Sequence, residues 1–301
     1  MIPSFTNYSR SAVVLILAFS IGCTSHKTTG KVEEEMKDTA KVEAPTTTAE
    51  KIVYSIPSPL RAISLLKRAG SHYIDGLING AENVKNYTTN SEQALNLGVY
   101  GADLAYTCLF DQTQAAIKCM KASKSLAESM GISSAFSSNN LVARFENNLS
   151  KRDSLVSIVS ELYRESGNYL KENDNNSGSA LMLAGGWIEG LYIASKSYEK
   201  NSLKGLVGRI SEQKLSLDNL ISMLNDFKDQ QGFKALIAGL EDLKKEFEKS
   251  AVNYTEKAAT TDEKTKEITL NSEANFALDE SQVKLVSKKI QVLRSMVVKH
   301  N

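Results

Sequence analysis

Asn90-Ser91-Glu92-Gln93-Ala94-Leu95-Asn96-Leu97-Gly98-Val99-Tyr100-Gly101-Ala102-Asp103-Leu104-Ala105-Tyr106 and Asn176-Ser177-Gly178-Ser179-Ala180-Leu181-Met182-Leu183-Ala184-Gly185-Gly186-Trp187-Ile188-Glu189-Gly190-Leu191-Tyr192 read as two versions of one helix. Laid over each other at an offset of 86, they agree at six of 17 positions; about one agreement is expected by chance for ordinary composition. Asn and Ser caps followed by apolar first turns are helix-start signals. Small residues then crowd each copy, Gly98, Gly101, Ala102 and Ala105 in the first and Ala184, Gly185, Gly186 and Gly190 in the second. Glycine inside a helix costs about 1 kcal/mol against alanine. Several together call for the close approach of another helix or of a ligand. The period is too long for tetratricopeptide or ankyrin arrays. It fits a duplicated set of helices, about residues 90–132 and 176–224.

Outward from the repeat, the helical pattern continues in both directions. Ser58-Pro59 is a helix-start signal, and Leu60, Ile63, Leu66 and Lys67 keep helical spacing as far as Gly70. Toward the other end, Leu236, Leu240, Leu243 and Phe247 form one apolar seam, and Val283, Val286, Ile290, Leu293 and Val297 a second. Both are short for an intermolecular coiled coil and are expected to close the same bundle. Thr255–Glu267 is charged and threonine-rich and reads as a mobile loop, with weak strand-like alternation beside it at Glu267–Leu270. Four prolines in all leave the helices uninterrupted. The fold expected over residues 52–301 is a single all-α helical bundle, long enough for an ample core.

Ahead of that body stands an export pattern. Arg10 precedes the apolar run Ala12–Phe19, which is followed by Ser20, Ile21, Gly22 and Cys23. A basic start, a core of roughly ten apolar residues and small residues at the cut describe a secretory signal, too short to span a membrane. Gly22-Cys23 resembles the lipobox of bacterial lipoproteins, in which the cysteine receives a thioether-linked diacylglycerol; Ser20 stands where that motif usually has an apolar residue. The resemblance implies residues 1–22 as a leader, Cys23 as the lipidation site and the membrane as a partner through that lipid. Two or three acyl chains make a durable anchor. An ordinary secretory signal with an incidental cysteine is the alternative. Residues 24–51 are Lys, Glu, Thr, Ala and Ser with little to bury, and read as a flexible tether spanning roughly 30 Å root-mean-square. Within it, Asp38-Thr39-Ala40 matches a short O-glycosylation pattern, at a length that chance also supplies.

Composition narrows the functional classes. Lys and Arg total 36 against 35 acids, and loss of Arg10 with the leader leaves a charge near zero. Nucleic acid is not an expected partner, because phosphate binding needs a concentrated basic surface. Cys108 and Cys119 are expected as buried free thiols: on one helix they would stand about 16 Å apart, beyond disulfide reach. The histidines, His26, His72 and His300, form no cluster, so no metal site of HExxH type exists. A serine triad would have to use His72, without a Gly-x-Ser-x-Gly turn. Neither a phosphate-binding loop nor a dinucleotide fingerprint is present. No catalytic residue, cofactor or metal is expected.

One constellation remains. Asp103 and Glu189 occupy equivalent repeat positions, each with a tyrosine three residues on, Tyr106 and Tyr192, and hence on the same helix face. Should the copies pack together, the carboxylates would meet in an apolar core. There they would bind a cation, share a proton or grip a polar ligand. The plainer expectation is that each is hydrogen-bonded or paired with Lys or Arg, as buried charges require. Trp187, set among Gly185, Gly186 and Gly190, either floors a pocket or packs in the core.

Ser55-Ile56-Pro57-Ser58-Pro59 and the run Ala94–Leu104, with its Leu-Gly-Val-Tyr-Gly-Ala-Asp-Leu core, resemble helical lipoproteins of Bacteroidota that carry no assigned activity. The similar stretch covers roughly residues 52–195. The resemblance implies an envelope location and a helical fold. An Asp directly after the cysteine is the lipoprotein signal for inner-membrane retention, and in organisms of the Bacteroidota type surface export needs acidic residues just after the cysteine. Thr24-Ser25-His26-Lys27 has neither, which points to the periplasmic face of the outer membrane. The function expected is a lipid-anchored binding or scaffold module for an envelope protein partner, without catalysis. The alternative is a sensor or carrier holding a small ligand between the repeat helices at Asp103, Tyr106, Trp187, Glu189 and Tyr192.

Overall fold

Both copies of the repeat begin helices in the structure, a computed structural model that describes residues 59–298 apart from 250, 257–259, 263–266 and 270–271. The leader, Cys23, the tether and residues 52–58 lie outside the described residues. In chain order the helices are α1 (Pro59–Arg68), α2 (Asn90–Leu109), α3 (Thr113–Ser129), α4 (Ser133–Ser137), α5 (Leu141–Asn147), α6 (Arg152–Glu172), α7 (Asn176–Asn201), α8 (Lys204–Ser211), α9 (Gln213–Asn225), α10 (Phe233–Glu248) and α11 (Glu280–Val297). Pro59 opens α1, as its fixed φ and missing N–H allow. The caps of α2 and α7 fall one residue before the expected Asn-Ser pairs, again at positions 86 apart. Thr89 accepts from the Glu92 N–H in a reciprocal capping box, and Asn175 accepts from the Gly178 N–H at 2.9 Å. The oxygen one place earlier has the extended backbone that a cap needs at Thr89, while Asn90 and Asn176 are already helical.

The most extensive contact between helices is α2 against α7. Glycine permits it: a Cβ on Gly98 would collide with the Met182 carbonyl, and one on Gly185 with the Leu95 carbonyl. Backbone therefore meets backbone, and the question left by the glycines resolves in favour of a helix as the neighbour. Helices α1 and α6 each pack on both members of this pair, α3 lies along α2, and α11 lies along α7. Tyr100, Leu104 and Tyr106 of α2, and Leu181, Ala184 and Ile188 of α7, are buried in the resulting all-α core. The two apolar seams face each other, since α10 packs on α11 and Leu240, Leu243, Phe247, Val283, Val286 and Ile290 are all buried. They close the bundle within one chain.

Two expectations need correction. The copies correspond in their first helix and then part. α2 stops at Leu109, and Asp111 at φ 59° turns the chain into α3, with the Gln112 N–H bonded back to the Thr107 carbonyl. The equivalent stretch, 196–198, stays helical until Ser202, at φ 49°, ends α7, and two helices, α8 and α9, follow where the first copy has one. Only a residue that tolerates the left-handed region stops a helix in this way, and the copies place it at different points. The second correction concerns Thr255–Glu267. Its described part is not loop: β1 (Ala251–Glu256) pairs antiparallel with β4 (Ser272–Ala277), and β2 (Thr260–Asp262) with β3 (Glu267–Thr269). The charge and threonine content that read as loop also suits a two-stranded ribbon, where threonine is favoured and partner strands satisfy the backbone.

Candidate functional site

Asp103 on α2 and Glu189 on α7 lie about one turn beyond the glycine contact, and the close approach of the backbones brings their carboxyl groups together. Both residues are 0% exposed. Asp103 Oδ2 accepts the backbone N–H of Asn79 at 3.0 Å. Its Oδ1 is buried and has no hydrogen-bond partner among the described residues, while the Glu189 carboxyl is a close neighbour of the Asp103 carboxyl. Burial is the main reason that the Asp103 acid is held well above its ordinary value, with the neighbouring Glu189 charge adding to it; Arg294 and the Asn79 N–H oppose the rise without cancelling it.

Arg294 of α11 completes the site. Its Nε donates to Glu189 Oε2 at 2.6 Å and its Nη2 to Oε1 at 2.8 Å, a two-pronged pairing that the planar guanidinium suits. Nη2 also reaches the Leu77 carbonyl at 3.3 Å. Burial works against the guanidinium charge, yet the Glu189 carboxylate holds the proton on Arg294 more firmly than usual. The guanidinium carbon sits 4.2 Å from the ring centre of Tyr192, in range for a cation–π contact. The cluster thus joins α2, α7, α11 and the 71–80 segment. That segment is itself fixed by side chains: Asn79 Nδ2 donates to the Tyr87 hydroxyl, Asn83 to Asn79 Oδ1, and the Tyr100 hydroxyl to the Gly80 carbonyl.

Of the five residues singled out from the sequence, the structure gathers Asp103, Glu189 and Tyr192. Tyr106 lies apart: its hydroxyl accepts from the Ile74 N–H at 2.8 Å, its ring stacks on Tyr73, and burial pushes its phenol up to about 12. Trp187 points to another side of α7, where Nε1 donates to Ser216 Oγ of α9 at 3.0 Å. Tyr192 therefore shares the face of α7 with Glu189 and lies under Arg294, whereas Trp187 belongs to the core. Arg294 escaped the sequence reading. Its signal was available, because it stands four residues after Ile290 and three before Val297, on the buried stripe of an otherwise apolar seam.

The chemistry open to this arrangement is proton holding and mutual charge neutralisation. Acid–base work on a substrate needs access, and neither carboxyl reaches solvent. Among the described residues no group of three or more His, Cys, Asp and Glu side chains stands close enough to hold a metal. A small pocket of about 10 Å3 beside Gly101, Tyr163, Met182 and Ser123 has room for about one water. A surface cleft of about 420 Å3 runs between the end of α7 and the start of α11, bordered by Tyr198, Glu199, Glu280, Lys284 and Lys288. Neither space is walled by any of the five candidate residues. Cys108 and Cys119 are free and buried, at opposite sides of the α2–α3 turn. Set against family models, curated proteins and solved structures, the chain matches none.

Proposed function

We propose that this chain is a lipid-anchored protein of the bacterial envelope, held through Cys23 at the periplasmic face of the outer membrane, and that its helical body acts as a binding or scaffold module without catalysis. The observation that carries this reading is the closure of the candidate ligand site. Glu189 is paired with Arg294, Asp103 accepts from Asn79 and both carboxyls are sealed from solvent, so the groups best suited to grip a small molecule serve the core instead. Among the described residues no helix is long and apolar enough to cross a membrane, and in this reading attachment rests on Cys23. A surface for a protein partner is supported by α11, where Leu285, Val292 and Met296 stand exposed at helical spacing on one face.

The reading is tested in cells. Labelling with an alkynyl fatty acid should mark the chain and fail to mark Cys23→Ala, and density-gradient fractionation should move that variant out of the outer membrane. Membrane retention of Cys23→Ala without label would sink the anchor. Val292→Asp should abolish crosslinking to an envelope protein and leave the melting temperature within about 2 °C, since exposed substitutions are usually near neutral. Stabilisation of the purified chain by the small-molecule fraction of an envelope extract, lost in Tyr192→Ala, would favour the carrier over the scaffold.

A further inference from the structure

We infer that Asp103 and Glu189 share a single proton inside the core, and that this proton is a latch whose loss loosens the joint between α2, α7 and α11. The inference stands on the cluster's geometry and does not depend on the envelope reading.

Charge balance is the first argument. Two carboxyl groups and one guanidinium meet at a site sealed from solvent. With both carboxyls ionised the site carries a net negative charge that nothing nearby offsets, which a buried location penalises heavily. One proton makes it neutral. The other titratable groups within electrostatic range of Asp103 supply no second cation. They are Tyr73 of the 71–80 segment, Tyr87 beyond it, Tyr100 and Tyr106 of α2 itself, and Cys119 of α3. Burial raises all five, so they stay uncharged. From α1, Lys67 is turned away to the Leu109 carbonyl, and from α6 the Tyr163 hydroxyl donates to the Met182 carbonyl.

Hydrogen bonding is the second argument, and it places the proton. Asp103 Oδ2 is an acceptor, because what it meets is the Asn79 N–H. Glu189 meets N–H donors at both oxygens. Asp103 Oδ1 alone is buried without any partner, and the neighbouring Glu189 carboxylate still has lone pairs to offer. The proton therefore sits on Asp103 Oδ1 and is donated to Glu189. Asp103 reads as a neutral acid used as a hydrogen-bond donor.

The direction of the pH effect follows. In the unfolded chain Asp103 ionises near its ordinary value of 3.8; in the folded chain it is held well above that. Below about 3.8 both states are protonated and nothing is lost. As the pH rises above that value, the unfolded state gains from ionising and the folded state does not, so stability falls with pH until the folded group itself ionises. Beyond that point the buried pair repels and the joint between the helices opens. Asn at position 103 copies the neutral acid, with Oδ1 accepting from Asn79 and Nδ2 donating to Glu189, and it has no proton to lose.

The experiment compares the full-length chain and Asp103→Asn in detergent, by thermal unfolding from pH 5 to pH 9. The two should melt closest together at pH 5, with the variant at or above the parent throughout. The gap should widen by about 3–5 °C per pH unit, the effect of one proton on a domain of this size. Parallel pH profiles for the two chains would overturn the inference. Infrared spectroscopy of the parent at pH 8 decides it even should the variant fail to fold. A protonated-carboxyl C=O band that shifts on 13C-aspartate labelling is expected, and its absence would overturn the proposal just as firmly.

Discussion

Arg294 spends two of its donors on Glu189 and a third contact on the Leu77 carbonyl, with Tyr192 beneath it. Removing the charge while keeping the bulk, as in Arg294→Met, leaves the Glu189 carboxylate inside the core without a cation. Breaking a buried pair from one side costs about 3–5 kcal/mol, and urea unfolding of the variant should show a loss of that order. A midpoint unchanged from the parent would mean that the Glu189 carboxylate is wetter than its burial implies. Glu189→Gln takes the bidentate carboxylate from the guanidinium and should cost less, because Asp103 can then release its proton and balance the Arg294 charge. Asp103→Asn stands apart from both, because an amide replaces a neutral acid donor for donor. Three substitutions at one cluster are thus expected to differ in sign or size according to which partner carries charge.

At the scale of the element, the α2–α7 joint depends on two glycines against backbone carbonyls. Alanine is the better helix former by about 1 kcal/mol, yet at Gly98 or Gly185 its methyl would have to push two helices apart. Overpacking of this kind costs about 1–3 kcal/mol, so Gly98→Ala and Gly185→Ala should each destabilise on balance. Gly208, inside α8, has open space where a Cβ would stand. Gly208→Ala should therefore gain up to about 1 kcal/mol, and guanidinium titrations of the three variants separate propensity from packing. Equal gains in all three would refute the close helix contact. The caps offer a milder test: Thr89→Ala removes the acceptor that holds the Glu92 N–H and should cost about 1 kcal/mol.

Across the whole molecule, Cys108 and Cys119 report on how cooperatively the bundle opens. Both are buried, and burial pushes the Cys108 thiol up to about 12, so neither is a ready nucleophile at neutral pH. A disulfide reagent added to the native chain in excess is expected to leave both unmodified, and to label them at a rate that tracks global unfolding as denaturant is added. Rapid labelling in the absence of denaturant would show that the α2–α3 hairpin opens by itself. As for what could be read in advance, the sequence alone determined the helical class, the paired helix starts 86 residues apart and the two carboxylates worth watching. Those rest on short-range physics: caps, 3.6-residue periodicity and the cost of glycine act within a turn or two of the chain. Of the ribbon between α10 and α11 only the weak alternation at Glu267–Leu270, where β3 lies, was legible; the rest was missed because strand pairing joins residues as far apart as Ala251 and Ala277, and no local pattern announces a partner. Tertiary structure alone decided what the glycines meet, that Trp187 and Tyr106 belong to other neighbourhoods, and that Arg294 answers Glu189 across 105 residues. A charge buried in a seam signals that a partner must exist, but only the folded chain brings that partner within 3 Å.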